Sequence, residues 1–345
     1  MLNRIKKVLI AVAGVAVFIL ALELLKSGAR ELQPLFKTLA VDSMTNTLGM
    51  GWLMAYMVLS GSPVAAVSLT LYSQHLISDV QAFAMITGSR LGASFIVLLV
   101  GFVSYLRGRQ RVASISIGVL ALLTTATVYL PAMGMGYLIL TNGWFDNVRF
   151  GAPTVLASFI DMVYDPVVHW LAALLPGWLV FIGGLLILLA AFNIFDRALP
   201  EISSESGSFQ RVSDLVYRPW VMFVIGMAVT AVTLSVSVSL TILVPLSVRG
   251  YVRRENLMPY VMGANITTFI DTLFAALLLN TPRAFTIVFT EMTSVALLSL
   301  LVLVINYNGY RRGVEWCLEW IMRDNRRLAI FLAVIFVVPL ILLLV

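Results

Sequence analysis

At 345 residues, 60% apolar and only 12% charged, with a mean hydropathy of +0.98, the chain lies far outside the range of a soluble globular domain. Its net charge of +6 comes from arginines and lysines that flank apolar runs, which reads as membrane topology and excludes a nucleic-acid surface. A single cysteine, Cys317, excludes an intrachain disulfide and a thiolate metal cluster, and His75 and His169 are too few for a histidine-built metal site.

The first predicted element is the apolar run Ile5–Leu25, flanked by Arg4, Lys6 and Lys7. It begins like a signal peptide, but no small-x-small cleavage site follows in "LELLKSGAR", so an uncleaved transmembrane helix is expected. Next comes Asn46–Ile77, interrupted at Ser60-Gly61-Ser62-Pro63. Proline removes a backbone donor and clashes with the preceding turn, and glycine loosens the helix further. In lipid such a break frees backbone groups that only protein or water can satisfy. Val80–Leu106 and Val112–Leu130 follow, each near the length that a hydrocarbon core of about 30 Å demands. The segment "PTVLASFIDMVYDPVVHWLAALLPG" sets His169 beside Trp170 and reads as an interfacial loop and helix. After Gly177–Phe195, the stretch Trp220–Val248 is broken in its turn at "TLSVSV". Leu257–Leu279, Ala284–Ile305 and Leu328–Val345 complete the spans. Between the last two, "YRRGVEWCLEWIMRDNRR" spaces Trp316 and Trp320 one helical turn apart among arginines, the pattern of an amphipathic helix on headgroups. The 15 methionines read as core filler.

Basic residues cluster at Arg4/Lys6/Lys7, Arg107/Arg109/Arg111, Arg197/Arg211/Arg218, Arg249/Arg253/Arg254 and Arg311/Arg312/Arg323/Arg326/Arg327. Placing all five inside predicts a multi-pass protein of the cytoplasmic (plasma) membrane, with its N-terminus cytoplasmic and its C-terminus outside. The path closes only if the two broken stretches dip in and return to the side they came from. Each half is about 15 residues, roughly 22 Å, too short to cross alone. Both are therefore expected as re-entrant hairpins, the first entering from outside and the second from the cytoplasm.

A shift of 175 positions carries Gly51, Leu59, Ser60 and Ser62 onto Gly226, Leu234, Ser235 and Ser237, and Gly88 onto Gly263. Each half thus holds a Ser-x-Ser tip followed, at one distance, by a helix interrupted at glycine. Hairpins entering from opposite sides make the repeats inverted, an architecture of secondary transporters whose site lies where broken helices meet. The expected fold is an all-α integral membrane protein of inverted repeats, each with a re-entrant hairpin and a broken transmembrane helix. It divides into an N-terminal helix and connector (1–45), a first repeat (46–106), intervening helices and loops (107–219), a second, inverted repeat (220–280) and C-terminal helices (281–345).

A serine-rich tip followed by Gly263-Ala264-Asn265-Ile266-Thr267-Thr268 resembles the sodium-dependent phosphate cotransporter family, whose halves each carry a QSSSA tip and a GANIGTT helix. The resemblance covers about residues 46–104 and 220–280 and is best in the second, where only Thr267 departs, replacing Gly. In the first half Arg90 stands where the family has Asn. At the tips Leu59 and Leu234 replace the Gln, and Gly61 and Val236 replace the middle Ser. The resemblance implies symport of phosphate or another small anion, with sodium as the coupling ion, no other cofactor and no enzymatic chemistry.

Ser60, Ser62, Ser235 and Ser237 are the candidate substrate-binding hydroxyls, with helix packing as their bland alternative. Asn265, Thr267 and Thr268 join them from the glycine-broken helix. An Arg at the depth of Arg90 costs at least about 2.5–3.5 kcal/mol on insertion scales, so it needs a partner or a wet cavity. Its planar fork suits an oxyanion, while pairing with Asp271 or Glu291 is the structural alternative. Asp271 and Glu291 are the candidate ion-coupling residues, Asp271 as a cation ligand or proton carrier. Two other readings compete: a non-transporting or sensing membrane protein derived from a transporter, and an intramembrane hydrolase using Ser62 with His75 or His169. The second needs one serine beside one histidine, whereas the tip is duplicated and its second copy has no histidine near in sequence.

Overall fold

The computed structural model describes residues 2–38, 41–106, 111–198, 218–248, 252 and 254–345. Every regular element among them is helical. In chain order these are α1 (Leu2–Ala29), α2 (Gln33–Thr38), α3 (Met44–Val58), α4 (Ser62–Ser73), α5 (Asp79–Ala93), α6 (Phe95–Leu106), α7 (Arg111–Thr141) and α8 (Thr154–Leu174). There follow α9 (Gly177–Ala198), α10 (Pro219–Thr233), α11 (Val236–Val248), α12 (Arg254–Thr267), α13 (Phe269–Leu278), α14 (Pro282–Ile305), α15 (Tyr307–Met322) and α16 (Asn325–Leu344). Eight helical stretches, counting α5–α6 and α12–α13 as one each, are long and apolar enough to cross a bilayer. The chain is a multi-pass, all-helical membrane protein.

Polar caps fix where the helices begin. Ser43 and Asn46 form a capping box at α3, and Ser78 and Gln81 form another at α5. The two apolar stretches each divide into two short helices with a left-handed leucine between them: Leu59 at φ 54° and Leu234 at φ 49°. Pro63 lies in the first turn of α4, where its missing N–H has no intrahelical acceptor to serve.

Packing is closest along α3/α5 and α10/α12. A Cβ on Gly51 would lie 2.1 Å from the carbonyl oxygen of Met85, and one on Gly226 would lie 2.1 Å from that of Tyr260. Gly88 and Gly263 repeat the match, each 2.1 Å from a carbonyl oxygen, of Leu48 and Phe223 respectively. Only glycine permits such backbone approach. Gly88 lies on Leu48 and Gly92 on Trp52 and Ala55, while Gly263 lies on Phe223 and Thr267 Oγ1 donates to Met227 O, so the helices of each pair run parallel. By contrast α1 and α9 run antiparallel, with Gly28 against Phe181, Gly184 against Leu25 and Gly14 against Phe195.

Polar contacts gather one set of termini at one end of the bundle. There Arg30 Nε donates to Gln74 Oε1 (3.0 Å), Gly177 N donates to Glu31, and Arg283 pairs with Asp79 (2.8 Å) and Asp146 (3.9 Å). This end holds the close of α1, α4, α7 and α13 and the start of α5, α9 and α14. Helix α16 returns to it along α3, with Asn46 Nδ2 donating to Leu343 O and Tyr56 OH to Ile335 O. At the opposite end Arg311 pairs with Glu255 (2.9 Å), and α15 buries Val314, Leu318 and Ile321 while exposing Trp316 and Trp320.

One element differs in extent from the sequence reading, and another bears on its interfacial placement. Helix α7 continues through Pro131 to Thr141, well past Leu130, since membrane helices tolerate an internal proline. Residues Thr154–Leu174, expected at the interface, form a helix long and apolar enough to span. Its two flanks nevertheless lie at the same end: Gly151 sits against Asn280 and Pro282, and Gly177 against Glu31. Only Ile160 and Val168 of α8 are buried.

Candidate functional site

The two leucine breaks meet on a cavity of about 270 Å³, lined by Leu59, Ser60 and Pro63 from one tip and Ser235, Ser237 and Val238 from the other. Val58 of α3, Leu189, Phe192 and Asn193 of α9, Ile96 of α6 and Thr241 of α11 complete its wall. Ser235 also acts as a cap, its Oγ accepting from Val238 N at 3.3 Å. Gly61 packs the first tip onto α5, where a Cβ would come within 2.9 Å of Ser89 O and 3.1 Å of the Ala93 Cβ.

Directly behind that tip lies Arg90, 2% exposed. Its Nη1 donates to Ser62 Oγ and to Thr268 Oγ1, both at 3.3 Å, and its Nη2 donates to Thr272 Oγ1. Asp271 Oδ1 stands 3.8 Å from Nη2 and accepts from Thr272 Oγ1 at 2.9 Å. The guanidinium carbon lies 4.8 Å from the centroid of the Phe269 ring, a cation–π contact that is stronger in a dry interior. Arg90 therefore ties α5 and the first tip to α12 and α13. Its Nε and Asp271 Oδ2 are buried without a partner among the described residues.

The sequence-predicted residues fall into four groups. Ser62, Thr268 and Asp271 converge on Arg90, whereas Ser60, Ser235 and Ser237 line the cavity. Glu291, 2% exposed, lies on α14, where its Oε1 is 2.9 Å from Thr87 Oγ1. Asn265 and Thr267 bond elsewhere: Asn265 Nδ2 donates to Thr125 Oγ1 on α7 (3.3 Å), and Thr267 Oγ1 donates to Met227 O on α10 (2.9 Å). Sequence reasoning missed Thr272, Phe269, Thr87 and Tyr129, the last donating to Asn265 O at 2.9 Å. Thr272 had a readable signal, since it follows Thr268 by four residues and shares its helical face.

Compared with known protein families, curated proteins and solved structures, the chain matches none. What the site can do rests on its own chemistry. Arg90 carries five donors in a planar fork, of which the Nε–H is unsatisfied, and the salt bridge at 3.8 Å is too long for a strong bidentate pair. An oxyanion could outcompete Asp271 for it. Oxygens available to a cation are Asp271 Oδ2, Glu291 Oε2 and the tip hydroxyls, while no three His, Cys, Asp or Glu side chains cluster as metal ligands among the described residues. Asp271 also borders a second, mainly apolar cavity of about 290 Å³ with Phe18, Leu234 and Phe274. Ser62 has no histidine beside it: His75 lies beyond the far end of α4, roughly 18 Å along the helix.

Proposed function

We propose that the protein is a secondary transporter of a small oxyanion, phosphate first among the candidates, built from two inverted repeats and driven by a cation gradient. One observation carries this reading. Two broken helical stretches whose left-handed leucines lie 175 residues apart start at opposite ends of the bundle and meet on one cavity beside a buried arginine, which we read as a pair of re-entrant hairpins. The paired glycine contacts at Gly51/Gly226 and Gly88/Gly263 support the repeat, and the antiparallel α1/α9 supports its inversion. Re-entrant backbone is tolerated at membrane depth only where protein or a wet cavity satisfies it, and transporters place their binding sites there.

In this reading Ser60, Ser235 and Ser237 offer hydroxyls to the anion as it reaches the cavity. Movement of the first tip carries Ser62 off Arg90 and opens the guanidinium to the anion's oxygens. Asp271 holds Arg90 in the empty state and is released as the anion takes its place. Sodium is the coupling ion that the family resemblance implies. The test is uptake by purified protein in liposomes, offering phosphate, sulfate and carboxylates under imposed sodium and proton gradients. Gradient-dependent uptake of one of them, weakened by Ser237→Ala and by Arg90→Lys, is the expected result. Absence of uptake for every anion would favour the non-transporting reading instead.

A further inference from the structure

Glu291 sits in the middle of α14, buried, with an unusual hydrogen-bond arrangement. Thr87 Oγ1 is 3.1 Å from Phe83 O and 2.9 Å from Glu291 Oε1. Both neighbours are oxygen atoms, and a hydroxyl has one hydrogen to give. Several helical threonines of this protein place that hydrogen on the carbonyl four residues back, as in Thr70→Ala66 (2.9 Å), Thr124→Leu120 (2.8 Å) and Thr290→Thr286 (2.8 Å), whereas others, Thr267 and Thr272 among them, give it to another acceptor. If Thr87 does the same, the hydrogen between Thr87 and Glu291 belongs to the glutamic acid.

The other carboxyl oxygen agrees. Glu291 Oε2 is buried and has no hydrogen-bond partner among the described residues. On an ionised carboxylate that oxygen would carry charge into an apolar interior with nothing to stabilise it. On a neutral acid it is a weak carbonyl-like acceptor, and leaving it unpaired costs far less. Arg90 on α5, the cation that acts on Glu291, is committed to Ser62, Thr268, Thr272 and Asp271 and does not come within 4 Å of it. Tyr129 on α7 is the other titratable group that interacts with Glu291; it also feels Arg90 and Asp271, and its hydroxyl is engaged with Asn265. With Arg90 and Asp271 cancelling each other, a neutral Glu291 leaves the buried cluster uncharged.

We propose that Glu291 is a proton-binding site and that the proton it holds is the coupling ion. The proposal rests on the carrier reading above and replaces sodium in it. When the carrier opens between α5 and α14, Thr87 parts from the acid and water enters. The O–H bond of Glu291 then breaks, the proton passes to water, and a carboxylate remains until the next protonation from the other side. The anion and the proton thus cross together.

Infrared spectroscopy of the purified full chain in liposomes tests the proton directly. At neutral pH the wild type should show a carbonyl-stretch band of a protonated carboxylic acid that is missing in Glu291→Gln. The amide can still donate to Thr87, so this variant should fold, and Glu291→Asp provides a second check by shifting the band. Transport is then followed with inorganic phosphate as the probe. A pH gradient of about one unit should sustain about tenfold accumulation if one proton moves with each anion. In Glu291→Gln that accumulation should disappear, with phosphate–phosphate exchange, which moves no net proton, reduced less. Absence of the acid band in the wild type overturns the proposal, as does sodium-driven, pH-independent accumulation. If the band is present but no gradient moves phosphate into wild-type vesicles, the phosphate-carrier reading fails and the coupling role falls with it, while the protonated acid stands.

Discussion

Arg90 places a full charge near the middle of the 25-residue span Asp79–Val103, and its partners decide what losing it does. Removing one member of a buried pair strands the other, which typically costs about 3–5 kcal/mol. Here the pair is long, and Ser62, Thr268 and Thr272 share the load, so Asp271→Ala should sit at the lower end, about 3 kcal/mol. Arg90→Ala should destabilise comparably, because Asp271 then keeps only neutral hydroxyls, Thr272 and Ser62, as side-chain donors. The double variant Arg90→Ala/Asp271→Ala should recover about 1–3 kcal/mol relative to the sum of the singles. Thermal unfolding of the four proteins in one detergent measures this cycle, and strict additivity would mean that the two groups do not interact. This pairing was legible in the sequence, because charges at mid-span are so few that each must be accounted for. The hydroxyls that mediate it were less legible, since threonines are common in membrane helices and only their facing tells which serve a charge. Asn265 shows the same limit. A motif position names the residue type, but the bonds to Thr125 and Tyr129 depend on the docking of α7, which no local pattern records.

At the scale of elements, the helix breaks were legible and the helix limits were not. Ser60-Gly61-Ser62-Pro63 announced the first tip through chemistry that stops a helix, and the second was found by its register with the first. Neither tip reveals in sequence that its pivot is a left-handed leucine, a conformation costing roughly 1–2 kcal/mol for a residue with a Cβ. The glycine contacts make a sharper prediction. Gly51→Ala and Gly226→Ala each push a methyl to 2.1 Å from a backbone carbonyl oxygen, where no side chain can yield. Both should separate the paired helices and destabilise by similar amounts, several times the effect of an ordinary surface change of about 0.5 kcal/mol. Gly134→Ala and Gly183→Ala meet nothing within 4 Å inside their helices and should be neutral or stabilising by up to about 1 kcal/mol. Melting temperatures of the four variants decide the matter. A tolerated Gly226→Ala would show that α10 and α12 do not approach as closely as α3 and α5.

For the whole molecule, orientation reduces to which water phase each end of the bundle meets. Arg197, Arg218, Arg311, Arg312, Arg323, Arg326 and Arg327 belong to the end where α15 lies, while the opposite end holds Arg30, Arg149 and Arg283. The positive-inside rule puts the arginine-rich end in the cytoplasm. Helix α8 is the element on which this assignment turns. If it crossed the bilayer, everything after it would change sides, and the two hairpins would enter from the same face. Its flanks argue against crossing, because Gly151 and Gly177 both contact residues at the end opposite α15. A helix with exposed Asp161 and Asp165 on one face and exposed Phe159, Met162 and Trp170 elsewhere is suited to lying in the headgroup layer. Single cysteines introduced into a Cys317→Ser background, probed with a membrane-impermeant thiol reagent in sealed right-side-out cells, distinguish the two paths. Cysteines at Asn147 and Leu175, either side of α8, should both label from outside. Those at Gly313 and Asn325 should label only after the membrane is opened. Labelling of Asn147 and Leu175 from opposite sides would make α8 a true span, reverse the second hairpin and remove the inversion on which the transporter reading depends.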